Sequence, residues 1–199
     1  MIKSGPCMDF HESRLIRDAK LGNRHAFGRL VLRYQNRILA LAYDLMGNYE
    51  DASDLAQEAF IRAFDRLSTF EERARFSTWL YRITVNLAMD VHRRRKRRPS
   101  TSFDSVLRQG NTPVDPDSLV QQPTDRLEQK ELREHINEAL ANLTENQRTA
   151  TVLKYFHYQS CREIAEVMGC AEGTVRIHLH RALKHLRRAL KHEEIANDG

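Results

Sequence analysis

Cysteine is scarce in this chain: three in 199 residues, at Cys7, Cys161 and Cys170. They form no C-x-x-C pair, and an odd, scattered set excludes a disulfide framework. Long apolar runs are missing too. None approaches the ~20 residues that cross a bilayer, and the opening MIKSGPCMDF has no signal-peptide pattern, so the chain is expected to stay in the cytosol. No Walker loop, G-x-S-x-G or H-E-x-x-H occurs. An enzyme is therefore not expected and no cofactor is implied. Histidines do crowd the C-terminal part (His157, His178, His180, His185). His178 and His185 share a helix face, but lie about 10 Å apart along its axis and fit no zinc-ligand spacing, so no metal site is expected. Cys161 and Cys170 read as packing residues.

Proline is equally sparse, with five in all, but four of them fall within residues 99–124. That stretch, PSTSFDSVLRQGNTPVDPDSLVQQPT, shows neither helical nor alternating period, and proline at such density opposes helix and sheet alike. It reads as an extended linker and sets the expected organisation: a first domain at 1–98, the linker at 99–124 and a second domain at 125–199.

What is present is helical periodicity. Ala26, Phe27, Leu30, Val31, Tyr34, Ile38, Leu41, Ala42 and Leu45 mark one long helix ending at Gly47-Asn48. Ala52, Leu55, Ala56, Ala59, Phe60, Ala63 and Leu67 mark a second. A third runs from Phe76 through Trp79, Leu80, Ile83, Leu87 and Val91 into the basic run Arg93–Arg98. Beyond the linker, Leu127, Leu132, Ile136, Ala139 and Leu140 suggest a helix. Thr144 with Gln147 forms a capping box for another through Val152, Leu153 and Phe156. No strand pattern competes, and the fold class is all-α: two small helical domains joined by a linker.

The charge is unevenly placed. The net formal charge is +5, split as +7 over residues 1–98 (19 basic, 12 acidic), −2 over 99–124 (one basic, three acidic) and zero over 125–199 (12 of each). The second domain is thus not generally basic. Its positive charge is focused on one helix, which is the footprint of a directed polyanion contact.

That helix lies in SCREIAEVMGCAEGTVRIHLHRALKHLRRALK (160–191). Ser160 and Glu163 make a capping box, Ile164, Val167 and Met168 give a short apolar face, and Gly169 ends the helix. A second helix follows with Val175, Leu179, Ala182, Leu183, Leu186, Ala189 and Leu190 in one stripe. From Gly173 to Lys191 there are six Lys/Arg and no acid. A short helix, a tight turn and a basic second helix form the unit that enters a DNA major groove. Ile177 sits near the middle of the polar face. It is either an ordinary exposed apolar residue or one placed to touch a thymine methyl.

Five segments in order, DLAQEAFIRAFDRL (54–67), FSTWLYRITVN (76–86), the basic run before the linker, LTENQR (143–148) and EGTVRIHLHRAL (172–183), resemble the extracytoplasmic-function (ECF) group of bacterial sigma factors. The resemblance spans about residues 10–98 and 125–190. It implies a protein that binds core RNA polymerase and directs promoter recognition, melting and transcription initiation, with a role in stress response and an anti-sigma factor as a regulatory partner.

By the same resemblance, Asp54, Gln57, Glu58 and Phe60 dock on the polymerase. The loop Phe70–Phe76 and Asn86 read the downstream promoter element as single strand, with Arg73 and Arg75 adding phosphate contacts beside Arg93, Arg94 and Arg95. The family's upstream-element positions fall on Arg176, Ile177, His180 and Arg181, with Lys184 on the same basic face. Ile177 departs from the small polar residue common there, and the loop FEERARF departs from Gly- or Asp-rich versions. Trp79 and Phe76 fit plain core positions equally well, and for Trp79 core is the favoured reading. The contrasting reading is a stand-alone helix-turn-helix regulator with a ligand-binding first domain, which would need neither Asp54-x-x-Gln57-Glu58 nor the basic run.

Overall fold

A computed structural model describes residues 10–72, 74–97 and 136–197. The linker reading at 99–124, Arg73, Arg98 and the start of the helix expected from Asp125 lie outside the described residues. The described residues are helical or in short turns, and the all-α expectation holds. In chain order they form α1 (Phe10–Lys20), α2 (Arg24–Met46), α3 (Tyr49–Asp65), a single 3₁₀ turn (Leu67–Thr69) and α4 (Phe76–Arg97). Helical residues at 136–141 precede α5 (Glu145–Thr151), which widens into a π-helical turn, Val152–Phe156. Then come α6 (Cys161–Met168) and α7 (Glu172–Asn197).

The breaks sit where local chemistry puts them. Gly47 ends α2 in the left-handed region (φ 79°), where a Cβ would be strained. The next residue, Asn48, accepts the Asp51 amide at 2.9 Å and starts α3. This two-residue hinge folds α3 back along α2, so that Ile38, Leu41, Ala42, Ala52 and Ala59 are sealed from solvent between them. α4 lies across the pair and buries Phe76, Leu80 and Leu87.

No apolar period marks a helix before Ala26, yet α1 is well formed. Leu15, Ile16 and Ala19 pack on α2, and the Tyr34 hydroxyl donates to Glu12 Oε1 at 2.8 Å. Burial and the neighbouring carboxylate push the Tyr34 phenol well above its ordinary range. α1 is short and flanked by charge, so its apolar period is easily lost in the sequence.

The C-terminal helices form a second cluster around Leu153, Ile164, Val167 and Val175. This cluster is packed against the first: α6 lies on α4, and the π turn lies on α2.

Candidate nucleic-acid interface

The helix-turn-helix is built by its caps. Ser160 accepts the Glu163 amide at 3.2 Å while the Glu163 carboxylate accepts the Ser160 amide at 2.9 Å, a reciprocal capping box that starts α6. The Ser160 backbone N–H is the chief reason the Glu163 carboxyl lies below its ordinary range; the Ser160 hydroxyl and Arg75 add to this against a modest burial penalty. Gly169 ends α6 at φ 65° and returns its N–H to the Ala165 carbonyl. After Cys170 and Ala171, α7 begins at Glu172. Val175, Leu179 and Ala182 are buried against the cluster, which turns Arg176, Ile177, His180, Arg181 and Lys184 to solvent. Ile177 is 51% exposed, so it takes no part in the core. Arg176 is tied to Glu172 one turn back at 2.6 Å.

The loop from Phe70 to Phe76 is closed by aromatic packing. Phe70 and Phe76 are 2% and 1% exposed, with ring centroids 5.5 Å apart, and Trp79 lies 5.1 Å from Phe70 and 5.6 Å from Phe76. Both rings are core in this structure, the reading already open for Phe76, because a large apolar ring gains more from burial than from exposure on a loop. Their contribution is to hold the loop's ends together. Glu71, Glu72 and Arg75 face outward, and Arg75 lies 3.5 Å from Glu163 of the helix-turn-helix. Trp79 is half-buried in the same cluster.

Asn86 is exposed on α4, on the same face as Arg82 and Arg93. Arg93, Arg94 and Arg95 continue this helix in the open, with Arg93 3.6 Å from Asp90 and Arg95 2.6 Å from Asp51. On α3, Asp54 and Gln57 are exposed, Glu58 pairs with Arg62 at 2.7 Å, and Phe60 is half-buried against the core. Ile61 is exposed one turn beyond Gln57 and Glu58, an apolar side chain amid the polar stripe that the sequence argument did not single out.

Sequence reasoning also missed the contact between the two helical clusters. His157 Nε2 lies 2.9 Å from Asp44 Oδ2, with the His157 ring set edge-on to Tyr81. Arg148 donates to the carbonyls of Leu140 (3.0 Å) and Leu45 (3.4 Å), and His92 also meets the Leu45 carbonyl at 3.2 Å. The Leu45 carbonyl near the end of α2 is thereby met by Arg148 from across the interface and by His92 from α4. Lys96 and Glu145 are 3.9 Å apart at its rim. Arg148 stands in the LTENQR segment, but nothing in that motif indicates its far partner.

Two family models match the chain: Sigma-70 region 2 over residues 30–98 and Sigma-70, region 4 over residues 133–186. The ECF RNA polymerase sigma factor SigW of Bacillus subtilis is 36% identical over 179 residues, covering 87% of this chain and 94% of that one. The chain belongs to the ECF sigma factors. As such it binds core RNA polymerase and promoter DNA, and directs promoter recognition, melting and initiation of transcription. Two solved structures are similar to this ECF sigma factor. One is CnrH in complex with the cytosolic domain of CnrY, at 26% identity and a TM-score of 0.64, covering 91% of this chain and 97% of that one. The other is the sigma factor RpoE in complex with the anti-sigma factor NepR from Bartonella quintana, at 25% identity and a TM-score of 0.62, covering 83% and 96%. Among the described residues no helix is long and apolar enough to cross a membrane.

Proposed function

We propose that the polymerase- and DNA-facing work of this sigma factor is divided between a region 2 domain at 1–98 and a region 4 domain at 125–199, joined by the 99–124 linker. The observation that carries the residue assignment is the exposed face of α7. Arg176, Ile177, His180, Arg181 and Lys184 stand together in solvent on a helix whose other side is core, as a groove-reading helix requires. On this reading they contact the upstream promoter element. Asn86 and the loop from Phe70 to Phe76, with the phenylalanines as its scaffold, read the melted downstream element. Arg73, Arg75, Arg93, Arg94 and Arg95 supply phosphate contacts. Asp54, Gln57, Glu58 and Phe60 dock on core polymerase, where an acidic and amide face suits a basic partner.

The protein acts in the cytoplasm, carries out no catalysis of its own and is controlled by an anti-sigma factor. The last point is supported by the likeness to an RpoE bound to the anti-sigma factor NepR. The reading is tested by reconstitution. Core polymerase with this chain should transcribe selectively from members of a promoter library randomised at both elements. Asp54→Ala combined with Gln57→Ala should weaken polymerase capture without loss of helicity. Unselective transcription would defeat the promoter assignment, and unchanged capture would defeat the docking assignment.

A further inference from the structure

We propose that Lys20, the last residue of α1, is a positioning residue for the loop that reads the downstream element. This rests on the reading of that loop given above and adds to it the part of the fold that fixes the loop's shape.

Lys20 is half-buried, and its Nζ donates to the backbone carbonyl of Phe70 at 2.6 Å, across 50 residues of sequence. The same ammonium lies 5.4 Å from the centre of the Phe70 ring, within range of a cation–π contact. A lysine at a helix C-terminus needs only its own helix's last carbonyls to satisfy the helix dipole. Lys20 instead reaches the one peptide unit at which the chain leaves its 3₁₀ turn and enters the loop.

The surroundings make that peptide a pivot. On the entry side, the Phe70 amide donates to the Leu67 carbonyl at 3.1 Å, and its ring is locked against Phe76 and Trp79. On the exit side, Phe76 is core and the Trp79 amide returns to the Arg75 carbonyl at 3.1 Å. Both ends of the loop are therefore held by rings, which fix position but not the rotation of the Phe70 peptide plane. A charged donor on its carbonyl fixes that rotation, and with it the direction in which Glu71 and Glu72 leave. Unstacking a base costs a few kcal/mol, and a pocket offsets that cost only if its own shape is set beforehand. α1 thus serves promoter reading without touching DNA.

The experiment uses the full chain in holoenzyme with core RNA polymerase and a promoter library randomised across the downstream element. The readout is the ratio of transcription from preferred to disfavoured bases. Lys20→Met keeps the length and apolar stem but loses the bond. It should lower that ratio about tenfold, as loss of a charge-assisted hydrogen bond implies, while polymerase binding stays as in the parent. Lys20→Arg should restore most of the ratio, a rescue that a purely structural role in α1 would not show in base preference. If Lys20→Met proves poorly folded, Lys20→Gln, which keeps a neutral donor, should give an intermediate ratio. An unchanged ratio in both Lys20→Met and Lys20→Gln overturns the proposal. Asn86→Ala separates failure of the Lys20 role from failure of the loop reading. If it shifts base preference while the Lys20 variants do not, only the positioning role fails. If neither Asn86→Ala nor exchange of Glu71 and Glu72 for glutamine alters preference, the downstream reading itself fails and the Lys20 role falls with it.

Discussion

Asp44 and His157 stand 113 residues apart in the chain, yet their side chains meet at 2.9 Å with the histidine only 8% exposed. The pair joins the end of α2 to the turn before the helix-turn-helix. Together with Arg148 on the Leu45 carbonyl, it links the two helical clusters. On the proposed division of promoter reading between the two clusters, they part to reach separate elements, and this contact opposes that parting.

Asp44→Ala should therefore favour parting. It strands the buried imidazole without its acceptor, at a cost of about 1–3 kcal/mol to the closed arrangement. Small-angle scattering of the free protein should show a larger radius of gyration for Asp44→Ala than for the parent. His157→Ala should behave alike, and the double variant should add little because the two residues share one interaction. Superimposable scattering curves would remove the pair from control of closure.

Acid should loosen the same region. His92 lies below its ordinary value, chiefly through burial and then through the Arg148 charge, with the Leu45 carbonyl and Glu145 opposing in part. The folded protein thus binds fewer protons at this site than the unfolded chain does. The stability this gives is fully present above about pH 6.5, the ordinary histidine value, and is lost as pH falls below it. Glu163 is also depressed, so its contribution is present above about pH 4.5 and is lost further into acid. Urea midpoints should fall first as pH drops below about 6.5, and Glu163 should steepen the fall below about 4.5. His92→Gln should flatten the first step and leave the second; an unaltered first step would assign it to another group.

How much of this was legible beforehand depends on the range of the chemistry involved. The Ser160–Glu163 and Thr144–Gln147 boxes, the Gly47-Asn48 hinge and the Gly169 stop act over three or four residues, and each is written in the residues that perform it. The exposure of Ile177 followed from helical angle alone. The Lys20–Phe70 and Asp44–His157 contacts span 50 and 113 residues and depend on how the helices cross, which no local period encodes. The burial of Phe70 is hidden from the sequence for a related reason, whereas a core place for Phe76 is open from the start. A loop's flanking aromatics look available until the helices that cover them are in place.

Because those rings are core, Phe76→Ala should cost about 3–5 kcal/mol of stability, as truncation of a buried aromatic does. A urea titration should show this before any promoter assay does. Phe76→Leu should recover much of the loss and retain transcription. A Phe76→Ala variant with parental stability and a selective promoter defect would return the ring to direct DNA contact.

On α7, the 2.6 Å pair between Glu172 and Arg176 sets the starting state for upstream reading. The guanidinium is exposed, so the pair itself contributes little stability. Its acid, however, sits on the helix face proposed to meet phosphate. Glu172→Gln should release Arg176 and remove a repulsive charge, raising DNA affinity severalfold while leaving helicity unchanged. Arg176→Ala separates two roles. If the arginine pairs with a guanine, its loss costs about 1–3 kcal/mol and relaxes preference at one position. If it holds phosphate, binding weakens for all sequences alike and the salt slope drops by about one. Ile177→Ser changes no charge, so it should shift the preferred base with the salt slope preserved. These outcomes are read from holoenzyme binding to duplexes randomised at the upstream element, at two salt concentrations. Preference unaltered in Arg176→Ala, Arg181→Ala and Ile177→Ser alike would take α7 out of promoter reading. A Glu172→Gln protein that binds no better than the parent would show that the ion pair does not restrain Arg176.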